Sequence, residues 1–324
     1  HQFGFGHKDS FIGLFNFFRH LKSQDLKPRI VWLIGKGFGQ NFKGQPNHLI
    51  PSYGFPASDF LLVNDVGESQ HSMVARLAVT NGTELVEYLQ KIMEYERMEV
   101  GSKEIPNWRK EVLHIAGGKT VKELDENIAI LQNSWNSDLT QVFGMKLGEL
   151  HKPLLDRSSG NLYGEILNRL NRGLGIRVFL GHGGVTSTEI GLDNPDLLSM
   201  GKKYPLMMDL GCQTGDIFTD KSSLSERFTL ALNGGAIGYI GSSGYGYSSG
   251  FNIFLRQFYK ELSRNLSNLT IGEIFLLATE PLQNNNFYGS QILGHQLNFH
   301  GDPFVRLFNS SGPDYTVSNV SSSI

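Results

Sequence analysis

Two stretches, IRVFLGHGG at 176–184 and YPLMMDLGCQTGD at 204–216, decide the fold and the candidate chemistry of this chain. IRVFL and LMMDL are short apolar runs typical of buried strands. His182 follows the first run, and Cys212, the only cysteine of the 324 residues, follows the second. If the two strands are neighbours in a parallel sheet, both side chains leave the same edge. The pattern therefore predicts a cysteine–histidine site.

This pair of residues suits acyl transfer at an amide. Such a reaction needs a nucleophilic sulfur, a proton for the leaving amine and donors for the developing oxyanion. We assign the first role to Cys212 and the second, general acid, to His182. The glycines around His182 leave backbone N–H groups uncovered, so we predict an oxyanion hole made by the amides of Gly183 and Cys212. Asp209 and Asp216 flank the cysteine, and the sequence leaves open whether they orient a partner, bind an ion or support the structure.

Strand-like and helix-like segments alternate along the whole chain. Apolar residues at helical spacing predict helices at 11–23, 83–97 and 160–173, whereas apolar runs predict strands at 29–35 and 60–65. Such alternation is typical of a three-layer α/β/α fold with a mostly parallel sheet.

The Pro- and Gly-containing segment at 101–108 predicts a domain boundary. We expect a smaller N-terminal α/β subdomain, non-catalytic, at 1–105 and a catalytic subdomain at 106–312. The Ser-rich segment at 313–324 reads as a linker or tail.

The composition excludes several classes of function. With 40% apolar and 19% charged residues and a net charge of -2, the chain has no basic field for nucleic acid and no polybasic segment for a membrane surface. No apolar run approaches the ~18 residues of a membrane span. The chain begins at His1 without signal-peptide features, which favours a processed chain. A single cysteine excludes an internal disulfide.

GGKT, at 117–120, is similar to part of a phosphate loop. The glycine that the motif requires five places before the Gly-Lys pair is Leu113 here, so nucleotide binding at 117–120 is a minor alternative. Thr120 and Glu123 have the spacing of a capping box that opens a helix. Ser223 and Glu226 have the same spacing.

At the cysteine and histidine the sequence resembles the gingipain family of clan CD cysteine peptidases, relatives of caspases and legumain. The family has His-Gly after one apolar block and Cys after the next, as in VFLGHGG and LMMDLGCQTGD. Further segments with counterparts in the family are FGFGHKDSFIGLF, VWLIGKG, YGFPASD, ARLAVTNGTELVEYLQKIMEYER, SLSERFTLALNGGAIGYIGSS and HGDPFVRL.

The resemblance implies a cysteine endopeptidase or transpeptidase that acts on polypeptides through His182 and Cys212. It also implies a caspase-like sheet in the second subdomain. The loop after the strand AIGYIGSS would lie beside the pocket for the residue that precedes the cut. The pocket residues expected there are Ser242, Ser243, Tyr245 and Tyr247.

The resemblance further implies a location outside the cell or on the outer surface of a bacterium, with type IX secretion proteins as partners. Gingipains bind calcium, and the segment at 191–196 suits it, but no ligand set can be named, so we predict no cofactor. Arg- and Lys-cutting gingipains carry acidic residues where this chain has GGKTVKE, which includes Lys119 and Lys122. Basic-residue specificity is therefore not supported, and the sequence is closer to the sortase-like branch. The alternative is a non-catalytic polypeptide-binding component on the same fold.

Overall fold

The computed structural model describes residues 3–5, 10–39, 42–43, 49–67, 70–97, 105–154, 160–264 and 268–308. The predicted tail at 313–324 and the first four residues of the predicted boundary lie outside these ranges.

Helices and strands alternate along the described chain. The α-helices are α1 (Ile12–Ser23), α2 (Phe60–Val63), α3 (Gly82–Arg97), α4 (Val121–Ser134), α5 (Ser137–Gln141), α6 (Gly160–Arg172), α7 (Leu224–Leu230), α8 (Ser248–Arg264), α9 (Ile271–Gln283) and α10 (Tyr288–Gln296). The strands are β1 (Ile30–Ile34), β2 (Gly37–Phe38), β3 (Ile50–Pro51), β4 (Met73–Leu77), β5 (Glu111–Ala116), β6 (Lys146–His151), β7 (Ile176–Leu180), β8 (Leu206–Leu210), β9 (Gly238–Ser242) and β10 (Leu297–Gly301).

One sheet runs through both predicted subdomains. Its strand order is β1-β4-β10-β9-β8-β7-β5-β6. Neighbours are parallel except β9 and β10, which are antiparallel. The short strands β2 and β3 form a separate parallel pair. The prediction of a mostly parallel α/β fold is therefore confirmed.

Helices cover both faces of this sheet, which explains why the central strands β7 and β8 are buried along their whole length and are apolar except for Arg177 and Asp209. Successive side chains of a strand point to opposite faces. Val178 and Met208 pack in the cluster that includes α3, α4, α8 and α9. Phe179 and Met207 pack in the cluster on the other face, with α6 and α7. The result is the predicted three-layer arrangement.

The prediction of a strand at 60–65 is wrong, because this segment begins with the helix α2. A short apolar run fits a buried strand and a buried helical turn equally well. Contacts beyond the run decide between them. Asp59, at its start, binds the buried Arg76, and Asn64, after its end, accepts the N–H of Ser72 at 3.0 Å. These bonds hold the segment as a turn against β4.

The sequence reading missed the strand β6. This strand is KLGELH at the edge of the sheet, with only one neighbour, and its side chains are exposed or half-buried. Charged residues are common on edge strands because they discourage pairing with other chains. They also remove the apolar signal that revealed the central strands.

Of the two predicted capping boxes, one forms completely. At α7, Ser223 accepts the N–H of Glu226, and the Glu226 carboxylate accepts the N–H of Ser223. At α4, Thr120 accepts the N–H of Glu123 at 3.2 Å. The Glu123 carboxylate instead accepts the N–H of Lys119, at 2.8 Å, so its other oxygen is available for a contact outside the helix.

Candidate active site

His182 and Cys212 both lie just beyond the carboxyl-terminal ends of neighbouring parallel strands, as the sequence predicts. Leu180 of β7 is paired with Leu210 of β8, and each functional residue lies two positions further along its own chain segment. The two turns pack directly together, because a Cβ on Gly211 would lie 3.0 Å from the Gly183 nitrogen. The close approach of two backbones explains the glycines here.

The sulfur of Cys212 faces the loop that follows β9. The side chain is partly exposed, and the N–H of Gly246 donates to its Sγ at 3.3 Å. The next residue, Gln213, has φ +57° and donates its N–H to the carbonyl of Gly244 at 2.8 Å. An N–H aimed at the sulfur stabilises negative charge there. The thiol is thus reachable and held in a polar setting.

Glu123 contacts His182, the other member of the pair. Its Oε1 lies 2.6 Å from His182 Nε2, and both side chains are about one-third exposed. The backbone N–H of Lys119 lowers the pKa of the Glu123 carboxyl, and His182 lowers it further. Glu123 therefore stays ionised beside the imidazole. From the sequence, Glu123 was predicted only to be a capping residue.

The amides of Gly183 and Cys212 are available for a ligand. Gly183 forms an isolated bridge with Thr188, but the bonds of this bridge run from Gly184 N–H and to the His182 carbonyl. In the described parts of the chain, neither the Gly183 nor the Cys212 N–H donates to a protein acceptor. The assignment of these two groups to an oxyanion hole stays a prediction.

A cavity of about 310 Å³ lies beside the cysteine, on the β9 side and therefore away from His182. Two of the four predicted pocket residues, Ser243 and Tyr245, line it. Ser242 is buried, and its hydroxyl accepts the N–H of Gly244. Tyr247 packs against the core at the start of α8. The remaining lining residues are Gly39, Phe55, Pro56, Ala57, Gln213, Asp216, Phe218, Thr219 and Gly244.

The two aspartates near the cysteine have different surroundings. Asp209 is fully buried and binds Arg177 of β7 and the hydroxyl of Tyr239 in β9. This contact is structural. Asp216 lines the cavity, and its Oδ1 accepts the N–H of Phe218 at 3.2 Å. Burial raises the pKa of the Asp216 carboxyl to about 6.

We expect Asp216→Asn to gain stability relative to the parent protein as pH rises. The native pKa of about 6 lies above the usual value of 3.8, so the folded state holds the proton more tightly. Stability is therefore lost as the carboxyl ionises between about pH 4 and pH 7, on the order of 1–3 kcal/mol. Denaturant midpoints at pH 4 and pH 8 measure the difference, with the exposed Asp220→Asn as control. An equal difference at both pH values would contradict this.

The segment at 117–120 is poorly suited to phosphate. The N–H of Gly117 donates to the Leu180 carbonyl, and that of Lys119 to Glu123. These two amides are therefore not free to bind an anion, and the Glu123 carboxylate would repel one. Among the described residues no three His, Cys, Asp or Glu side chains are grouped to hold a metal ion. Calcium stays an expectation of the resemblance.

Comparison with known families identifies this arrangement. The sequence model of peptidase family C25 matches residues 1–308. The chain belongs to peptidase family C25. It is therefore a cysteine-type peptidase, and its substrates are polypeptides. A comparison with curated proteins returned no relative.

Solved structures support the fold of this C25 peptidase. The crystal structure of the Arg-specific cysteine proteinase gingipain R matches with a TM-score of 0.71 and 16% identity, over 90% of this chain and 67% of that one. A complex of Porphyromonas gingivalis RgpB pro- and mature domains matches with a TM-score of 0.71 and 15% identity, over 91% and 70%. The described helices include none long and apolar enough to cross a membrane.

Proposed function

We propose that this C25 peptidase cleaves or transfers peptide bonds with Cys212 as nucleophile and His182 as general acid. The observation that carries the proposal is their position at the ends of paired strands, with the Glu123 carboxylate 2.6 Å from the imidazole. Because Nε2 faces Glu123, Nδ1 is the ring nitrogen that remains to exchange a proton with the cysteine. The ionised carboxylate orients the imidazole ring.

The reaction proceeds in two balanced steps. His182 takes the thiol proton of Cys212, the sulfur bonds to the carbonyl carbon, and the C–N bond breaks as His182 passes that proton to the leaving amine. The amides of Gly183 and Cys212 stabilise the oxyanion. Water or a second amine then attacks the thioester and gives a proton to His182, which returns the proton to the sulfur as the C–S bond breaks and the thiol of Cys212 forms again. Hydrolysis and transpeptidation differ only in this second nucleophile.

The cavity next to Cys212 receives a side chain from the acyl part of the substrate. His182 protonates the leaving amine, so the leaving group lies on the histidine side of the cysteine. The cavity lies on the opposite side, toward β9. Ser243 and Tyr245 line it directly, whereas Ser242 and Tyr247 support its loop from behind.

Glu123→Gln is expected to lower kcat about 10- to 100-fold with little change in KM. The amide keeps the size of the side chain but removes the negative charge that faces the His182 ring. Peptide hydrolysis at saturating substrate measures the effect. Glu126→Gln is the matched control, because Glu126 is 62% exposed on the same helix and pairs with the exposed Lys122. Equal activity of the two variants would remove Glu123 from the mechanism.

A peptide library tests the function as a whole. New termini located by mass spectrometry would reveal the cleaved bond, and the Cys212→Ala variant shows which cuts belong to this enzyme. A glycine amide acceptor in a parallel sample converts transfer into a mass increase on the new C-terminus. Absence of both products from an alkylation-competent protein would contradict the proposal.

We also propose that the enzyme works outside the cell or on the outer surface of a bacterium, as a sortase-like member of the type IX secretion pathway. Family membership and the likeness to gingipain R support this proposal. Lys119 and Lys122, where Arg- and Lys-cutting gingipains carry acidic residues, favour the sortase-like branch. Fractionation of cells that express the chain, in strains with and without the secretion system, tests the location.

A further inference from the structure

A half-buried ion pair joins the strand ends beside the catalytic pair without including either member. We propose that Glu189, which is paired with Lys152, is a positioning residue that holds the His182 backbone in the position that catalysis requires. The proposal rests on the function proposed above and deepens it. It also explains why glycines follow β5 and β7.

Glu189 forms hydrogen bonds with both the N–H and the carbonyl of the His182 backbone. Its Oε1 accepts the His182 N–H at 2.8 Å, and its own N–H donates to the His182 carbonyl at 3.0 Å. The carboxylate bond is charge-assisted and thus stronger than a bond between neutral groups. The Glu189 side chain is only 11% exposed, so solvent competes little for this contact. The peptide that carries the imidazole is therefore anchored on both sides.

Lys152 extends the same contact to the segment that carries Glu123. Its Nζ lies 2.7 Å from Glu189 Oε2 and donates to the Gly118 carbonyl at 3.2 Å. Gly118 immediately precedes Lys119, whose N–H binds the Glu123 carboxylate. The ion pair thus links the supports of His182 and Glu123, which come from the ends of β7 and β5.

The glycines after β5 and β7 make room for the Glu189 carboxylate. A Cβ on Gly117 would lie 2.2 Å from Glu189 Oε1, and a Cβ on Gly181 would lie 2.4 Å from it. A Cβ atom essentially never lies within 3.0 Å of a heavy atom from another part of the chain. The glycine of GGKT that suggested a phosphate loop therefore makes space for an anion of the protein itself.

The test compares variants that remove different parts of the contact. Glu189→Ala loses the bond to His182 and the ion pair, whereas Glu189→Gln keeps an acceptor of the same shape and loses only the charge. We expect kcat to fall about 100-fold in Glu189→Ala and about 3- to 10-fold in Glu189→Gln, with KM changed less than about threefold. Lys152→Met should resemble Glu189→Gln.

A second readout does not depend on peptide turnover. The rate at which iodoacetamide alkylates Cys212, followed across pH, reports how well His182 assists the thiol, and His182→Ala gives the limiting profile. We expect the Glu189→Ala profile to move most of the way to that of His182→Ala, and the Glu189→Gln profile only part of the way. If the parent protein cuts no peptide, the proposed function fails, while this profile still tests the positioning role.

Glu94→Ala is the matched control, because Glu94 pairs with Lys202 at 2.7 Å on the exposed surface of α3. Its kcat and alkylation profile should equal those of the parent protein. All rates are taken per folded molecule from circular dichroism. If both Glu189 variants lose thermal stability but keep the parent kcat and alkylation profile, the contact is only structural and the proposal is overturned. If Glu189→Ala fails to fold, Glu189→Gln and Lys152→Met decide by the same criteria.

Discussion

Cys212→Ala is expected to abolish peptide turnover, and His182→Ala is expected to lower kcat by about 10⁴-fold or more. An alanine has no atom that can form the thioester. Without His182 the leaving amine loses the proton donor that we propose for it. Continuous assays with a peptide found by the library screen measure both effects.

The double variant separates a concerted pair from two independent contributions. Groups that act as one unit are not additive, so Cys212→Ala with His182→Ala should be no slower than Cys212→Ala alone. Both residues lie in turns, and both side chains are partly exposed. Denaturant midpoints should therefore stay close to that of the parent. A Cys212→Ala protein that keeps a tenth of the activity would contradict the assignment.

The second large effect is on stability. We expect Asp209→Ala to lower the free energy of unfolding by about 3–5 kcal/mol. Its carboxylate binds both terminal nitrogens of Arg177, one at 3.1 Å, and accepts the hydroxyl of Tyr239. Arg177 and Asp209 are each only 1% exposed. Removal of the carboxylate leaves a buried guanidinium without a counter-charge.

A paired substitution shows that the unpaired charge causes the loss. Asp209→Leu combined with Arg177→Met removes both charges, and we expect it to recover most of the stability. Glu94→Ala, which breaks an exposed ion pair, should change stability by less than about 1 kcal/mol. Urea denaturation followed by circular dichroism gives all the values. An Asp209→Ala protein no less stable than Glu94→Ala would refute the buried-pair explanation.

The sequence was sufficient to locate His182 and Cys212 because their strands are buried on both faces. Such strands are largely apolar, and a polar residue shortly after each strand marks the same end of the parallel sheet. Only the adjacency of β7 and β8 had to be assumed, and the structure shows it.

The contact between Glu123 and His182 could not be predicted from the sequence, because it depends on the order of the strands in the sheet. β5 precedes β6 in the chain but lies between β6 and β7 in the sheet. No local pattern gives that order. The reading of Glu123 as a capping residue was half right, since Thr120 accepts its N–H while its carboxylate binds elsewhere.

Of the residues that line the cavity near Cys212, only two were among those expected from the sequence. Ser243 and Tyr245 were expected there from the family resemblance, and both line the cavity. The opposite wall comes from Gly39 and residues 55–57, which precede the catalytic segment by a long stretch of chain. A contact between such distant segments depends on tertiary packing, which leaves no signal in either segment alone.

The most direct test of the account is a covalent one. Peptide acyloxymethyl ketones that differ in the residue filling the pocket are incubated with folded protein, and any adduct is located by mass. We predict an adduct on Cys212 that is absent in His182→Ala, with a preferred residue that identifies the pocket's specificity. No adduct across the whole series, together with failure of iodoacetamide to label the folded protein, would contradict a cysteine–histidine active site.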